Sequence, residues 1–197
     1  LENDYILHTT DLEKAPENMR ISCNLGFVLS NNLNNDELRP EIKLQMIEKG
    51  IYYFKRAIAI NQEYANAHAG LGQLYLIKQM YDSAEVHSKK ALTHNDRSLI
   101  ALKSLGSVYL NANKYNEALA MYRKLHEISP GDITATSNMG VCHFYLRKYD
   151  SAILNIRKAI VEPTEKSPML YQLMSNSFSE LGKTDSAEKY AHLAQRL

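Results

Sequence analysis

Between residues 65 and 166 the apolar positions return every 34 residues. Leu71-Gly72 recurs as Leu105-Gly106 and Met139-Gly140, and Tyr81, Tyr115 and Tyr149 keep the same step. Two further columns follow it: Gly50, Ala84, Ala118 and Ala152, and Ala57, Ala91, Leu125 and Ala159. Within 99–132, Leu102, Leu105, Gly106 and Tyr109 share one helical face, and Tyr115, Ala118, Tyr122 and Leu125 share one face of a second helix. The polar stretch Asn111 to Lys114 separates the two, and Pro130-Gly131 ends the second helix. The pattern predicts antiparallel helix pairs that approach closely where Gly106 and Ala118 stand, so overpacking at Ala118 should cost about 1 to 3 kcal/mol.

The register divides the chain into units at 65–98, 99–132, 133–167 and 168–197. The last carries Tyr171, Met174, Ser175, Phe178, Ala187 and Ala194 in phase. Residues 19–64 form an irregular unit in which Gly26 to Gly50 spans 24 residues where Gly72 to Ala84 spans 12. The insertion, within 27–49, reads as a longer loop around Asn31 to Asp36 plus an extension of the second helix after Pro40. Residues 1–18 read as the second helix of a preceding half-unit, with Asp4 at its small-residue position and Pro16 at position 32. Leu1 has no basic and apolar leader pattern behind it, so the sequence is expected to be a piece of a longer chain.

Charge and composition remove several functional classes. The 197 residues hold 23 Lys+Arg against 22 Asp+Glu, a net charge of +1 that gives no field for nucleic acid. No apolar run is long enough to span a membrane. Cys23 and Cys142, 119 positions apart, make neither a disulfide framework nor a zinc knuckle. Both are expected to act as small hydrophobes, with no basic neighbour at helical spacing to activate a thiolate.

Nucleotide, esterase, metalloprotease and redox motifs are absent, so no catalytic residue, metal or cofactor is expected. His87 and His94 can share a helix face, but no carboxylate or Cys completes a ligand set. His143, beside Phe144, reads as a partly buried packing residue. Four dibasic pairs, Lys55-Arg56, Lys89-Lys90, Arg123-Lys124 and Arg157-Lys158, recur at the repeat step late in each second helix. They are read as complements to the helix macrodipole, ~0.3 to 1 kcal/mol each, in preference to a ridge for anionic lipid or an acidic protein.

These columns resemble the tetratricopeptide repeat (TPR), whose 34-residue unit carries a large residue, Leu-Gly, Tyr, Ala, an aromatic, Ala and Pro at fixed offsets. This sequence departs from it with His68 and Thr136 in place of Trp, His143 in place of Tyr, and Asp96 where Pro is common. The resemblance implies an all-α, right-handed superhelical solenoid whose first helices line a concave groove with positions 2, 5 and 9 of each unit. The groove residues so implied are Arg20, Phe27, Asn66, Gln73, Ile100, Lys103, Ser107, Thr134, Ser137, Val141, Gln172 and Asn176. Cys23, Ala69 and Met169 occupy the remaining positions. The Asn and Gln side chains suit an extended peptide backbone, and Phe27, Ile100 and Val141 suit its apolar side chains.

Chaperone adaptors of this family grip a terminal carboxylate with a fixed Lys, Asn and Arg set. Lys103 and Asn138 match two places, but Ser107, Met169 and Leu173 do not match the others, so that ligand is not expected. A narrower resemblance covers residues 11–29, which look like the junction where a multispanning, mannosyltransferase-like membrane protein leads into an exported repeat domain. The leading expectation is a non-enzymatic scaffold that binds a protein or peptide in the groove, with no nucleic acid and no membrane insertion within this sequence. The alternative is an accessory domain that positions a substrate or partner for a membrane-bound glycosyltransferase-like protein. Weak homo-oligomerisation is a further expectation, and the compartment is left open between cytoplasmic and extracytoplasmic.

Overall fold

The computed structural model describes residues 2–15, 17–160 and 167–196, with side chains from Ile6 onward. Pro16 and the side chain of Asp4, both placed by the register above, lie outside the described residues, as does the link 161–166. Among the described residues every regular element is a helix: α1 Glu2–Lys14, α2 Met19–Asn31, α3 Pro40–Ile60, α4 Ala65–Ile77, α5 Tyr81–His94, α6 Leu99–Asn111, α7 Tyr115–Ile128, α8 Ile133–Tyr145, α9 Tyr149–Ala159, α10 Pro168–Glu180 and α11 Thr184–Gln195. They group into two compact units, Leu1–Val108 and Tyr109–Leu197.

In the first unit α2 packs on α3, α4 on α5, and α2 directly on α4. Its core is built from Cys23, Leu29, Phe54, Leu71 and Leu74, each almost fully buried. The inserted stretch belongs to that core. Asn32–Asn34 form a 3-10 turn that buries Leu33, and Leu38 and Ile42 pack against the same cluster. α3 is accordingly 21 residues long where α5 has 14, and its extra turns bury Met46 and Ile47. In the second unit α7 packs on α8, α8 on α9, and α10 on α8, α9 and α11. Val141, Ile153, Ile156, Leu173, Met174 and Phe178 form its core.

The hairpin turns explain why the register is so regular. Gln79, Asn113, Arg147 and Gly182 all adopt left-handed backbone, with φ of 58, 57, 57 and 70°. Each closes a first helix with the same pair of bonds: Met80 N–H donates to Tyr75 C=O at 2.8 Å and Gln79 N–H to Leu76 C=O at 2.9 Å. Lys114 to Tyr109, Lys148 to His143 and Lys183 to Phe178 repeat the longer bond at 2.9 Å. This is the Schellman arrangement, which satisfies the orphan carbonyls of a helix end and reverses the chain.

The small-residue column is explained by contact. A Cβ built on Gly72 would lie 2.4 Å from Ser88 Oγ and 3.2 Å from the Ser88 backbone nitrogen. One on Gly140 would lie 2.6 Å from Ile156 Cγ1 and 3.2 Å from the Ile156 nitrogen. Gly140→Ala is therefore expected to lower unfolding free energy by about 1 to 3 kcal/mol in urea denaturation, because backbone as well as side chain must shift. Gln79→Gly should raise it by roughly 0.5 kcal/mol. The left-handed conformation costs a side-chain-bearing residue ~1 to 2 kcal/mol, and the freer unfolded chain of glycine returns part of that gain.

Candidate functional site

The first helices α2, α4 and α6 of the first unit, and α8 and α10 of the second, carry the expected groove positions. Their starts are fixed locally. Asn18 Oδ1 caps α2 by accepting from the backbone N–H of Arg20 and Ile21 at 3.0 and 3.2 Å, and Asp132 Oδ1 caps α8 by accepting from Ala135 N–H at 2.9 Å.

In the first unit Arg20 and Asn66 are exposed, and Phe27, Gln73, Ile100, Lys103 and Ser107 are half-buried. Phe27 is held edge-on to Phe54, ring centroids 5.0 Å apart, so it presents one edge only. Ile100 packs over the small cluster of Ala69, Ala91 and Ala101, which brings α6 against α4 and α5. The Tyr64 hydroxyl, just before α4, lies within hydrogen-bonding reach of both Cys23 and Asn66, with the charge of Arg20 acting on it. Arg20, Asn66 and Tyr64 thus share the seam where α2 meets α4. Gln73 Oε1 is buried and has no hydrogen-bond partner, an acceptor left without a donor. Arg20 also lines an open concavity of about 730 Å³ with Met19, Ile60 and Asn61.

In the second unit Thr134 is exposed and Ser137 is half-buried, its hydroxyl donating to Thr134 C=O at 3.1 Å. Gln172 and Asn176 are exposed and joined, Gln172 Nε2 donating to Asn176 Oδ1 at 2.9 Å. Val141 is only 5% exposed and belongs to the core with Ile153 and Ile156, so its side chain is engaged internally. Cys23 and Ala69 are likewise buried. Of the expected groove residues, Arg20, Asn66, Thr134, Gln172 and Asn176 are exposed, and all but Arg20 are uncharged.

Both cysteines are buried. Burial pushes both the Cys23 and Cys142 thiols up to about 12, which keeps them protonated at neutral pH. Among the described residues no group of three His, Cys, Asp or Glu could hold a metal ion, and no helix is long and apolar enough to cross a membrane.

One polar device lies outside the sequence reading. His68, buried at 1% exposure, sits on α4 and His87 on α5, and their Nδ1 atoms are 2.8 Å apart with the rings stacked. His68 Nε2 lies 2.9 Å from Gln62 C=O, and a carbonyl can only accept, so that nitrogen carries the proton. His68 Nδ1 is then an acceptor, and His87 must donate from Nδ1. Tyr75 stacks on the His87 ring at 5.5 Å. Nineteen residues and a turn separate the two histidines, so no spacing rule could pair them. The usable signal was His68 standing where the repeat has a large packing residue.

Burial, then His68, Lys90 and Lys55, push His87 down to about 4, and burial lowers His68 as well, with Lys90 and His94 facing it. Both folded-state values lie below the unfolded value near 6.5, so the unfolded chain binds more protons in mild acid and stability falls as pH drops from about 6.5 toward 4. Between pH 7.5 and 5.0, urea denaturation should show a loss of about 2 kcal/mol attributable to His87. His87→Phe, which keeps a ring on Tyr75, should flatten that dependence.

Comparison with known proteins places the fold. Residues 77–159 match the family model described as anaphase-promoting complex, cyclosome, subunit 3. No curated protein sequence matches the chain. Among solved structures, YrrB, described as a TPR protein with an unusual peptide-binding site, superposes with a TM-score of 0.75 at 19% identity, covering 95% of this chain and 90% of its own. PilF of Pseudomonas aeruginosa gives 0.70 at 16% identity, covering 90% of this chain and 77% of its own. MamA residues 41 to the end, from Desulfovibrio magneticus RS-1, gives 0.70 at 16% identity over 88% and 94%.

Proposed function

We propose that this chain, whose fold is similar to that of tetratricopeptide-repeat proteins, is a non-enzymatic scaffold whose first helices bind an extended segment of another protein. The observation that carries the proposal is the chemistry of that face. Arg20, Asn66, Thr134, Gln172 and Asn176 stand exposed on the first helices, while both thiols and the imidazoles of His68 and His143 are buried. Amide side chains offer both a donor and an acceptor, which matches the alternating N–H and C=O of an extended backbone. YrrB, similar in fold, is described by its peptide-binding site, which supports the class of ligand.

A face with few aromatic anchors should bind at micromolar strength, about −8 kcal/mol. Selection from a random peptide display library is the direct test. Selected peptides should bind the wild-type chain with a micromolar Kd, and Asn66→Ala with Gln73→Ala should weaken them by roughly tenfold, the worth of one or two hydrogen bonds. Leu154→Glu, an exposed position on the second helix α9, should leave them unchanged. Failure to select any peptide, or equal weakening by Leu154→Glu, would remove the first-helix face from consideration.

A further inference from the structure

At the register of His68 and His87 the next unit of the sequence has Leu102 and Met121, so the repeat does not need an imidazole at either place to fill space. The first unit instead holds two rings there and commits all but one of their polar atoms. His68 gives its Nε2 proton to Gln62 C=O at 2.9 Å and accepts at Nδ1 from His87 at 2.8 Å. His87, donating from Nδ1, keeps its lone pair on Nε2, which makes no hydrogen bond and is not sealed from solvent. Stacking on His68 at 5.1 Å and on Tyr75 at 5.5 Å fixes the ring, so that nitrogen has a set direction.

The charges around the pair are cationic. His87, Lys90 and His94 follow at i, i+3 and i+7 on one face of α5, and Lys55 of α3 acts on the His87 ring together with Lys90. Lys90 and His94 act likewise on His68. α4 adds no charged side chain, its titratable groups being His68 and Tyr75 alone. The acids of α5, Asp82 and Glu85, stand off the His87 face, and Glu85 is tied to Lys89 at 2.6 Å. Glu63, next to Gln62, is not among the charges that act on either ring. Lys55 and Lys90 are exposed, and among the described residues neither forms an ion pair. Nor do they complement a helix dipole, since α3 has no base in its last turn and α5 has only His94. Two unpaired cations converge on one fixed, half-buried imidazole, and an anion seated there would offset their mutual repulsion.

We infer that His87, Lys55 and Lys90 form a binding site for a tetrahedral oxyanion, a free phosphate or sulfate or the phosphate of a lipid headgroup, on the second helices of the first unit. The two ammonium groups supply charge and His87 supplies one directed hydrogen bond. Its Nε2 is unprotonated at neutral pH, so binding takes up one proton from solvent: Nε2 gains an N–H that donates to the anion, while the Nδ1–H bond to His68 is kept. The site is separate from the first-helix face and does not depend on it. Burial, then His68, Lys90 and Lys55, hold His87 at about 4 in the free protein. A bound anion raises that value, so affinity increases as pH falls from neutral toward 5.

Sulfate is the first probe, because its charge is constant over the pH range needed. With ionic strength held by sodium chloride, imidazole-resolved NMR of the full chain should show saturating sulfate raising the proton affinity of His87 roughly tenfold or more, and the sulfate Kd should tighten roughly threefold from pH 7.5 to 5.5. Lys55→Gln with Lys90→Gln should weaken sulfate at least threefold at either pH, about the worth of two exposed charges. Lys158→Gln with Lys189→Gln, which removes the same charge from exposed positions of the second unit, should not. His87→Phe should keep the lysine dependence and lose the pH dependence. Each variant is first shown to retain wild-type helicity by circular dichroism. Phosphatidylcholine vesicles with and without phosphatidic acid form the second arm. Response to sulfate alone assigns the site to a free anion, and vesicle binding that needs phosphatidic acid and is lost in the Lys55, Lys90 variant assigns it to a headgroup. No response of His87 to either probe, or equal weakening by the second-unit variant, would overturn the site. A pH dependence that survives His87→Phe would overturn the part given to His87.

Discussion

The close approach of first and second helix within a hairpin is the constraint on which the other features depend. At Gly72 and Gly140 the facing backbone nitrogen lies 3.2 Å from where a Cβ would be, so the helices touch through main chain. A contact of that kind fixes both separation and rotation, because no side chain can be re-rotamered to relieve it. With rotation fixed, each first helix must bury one stripe, which in α2 takes Cys23, Leu25, Gly26 and Leu29 and in α4 takes Ala67, Leu71, Leu74 and Tyr75. What remains outward, Arg20 and Asn24 on one helix and Asn66 on the next, is determined by that choice. The outward face is thus a by-product of packing, and its chemistry is free to vary without changing the fold.

The turns contribute the second half of the same constraint. A hairpin that closes through two defined bonds and one left-handed residue holds the axial register of its helices, so the small residues meet where they must. That Gln79 and Arg147 occupy the left-handed position shows that the tertiary contact outweighs the local cost. Their neighbours Lys78 and Leu146 end the helices in the same way, each donating its N–H to Leu74 and Cys142 C=O respectively.

These origins explain what could be read in the sequence and what could not. Columns of Gly and Ala at a fixed step were legible because they encode main-chain contact, which tolerates few residue types. The left-handed turn positions were not, since glutamine, asparagine and arginine there carry no common signature. Position 9 of the unit illustrates a finer limit. Phe27, Gln73 and Ser107 stay half-exposed there, while Val141 is drawn into the core beside Ile153 and Ile156. A position on the boundary of a buried stripe is decided by the volume of its neighbours, and a register cannot supply that. The pairing of His68 with His87 is a larger case of the same kind, because it needs two rings of particular size from two helices.

The distribution of acids links stability to recognition. An acid in the first turn of a second helix is stabilised by the positive end of the helix dipole, and on α9 Arg157 and Lys158 stand in the last turn at the negative end, whereas the dibasic pairs of α3, α5 and α7 fall before the last turn and do not complement the dipole there. Second helices can therefore carry a full complement of charge at a small gain. First helices have no such need: α2 and α8 are capped by neutral Asn18 and by Asp132, which lies outside the helix proper. The first helices carry only two cations, Arg20 and Lys103, and one acid, Glu180 at the end of α10. A side chain that neither packs the core nor caps a helix is the one most open to selection by a partner.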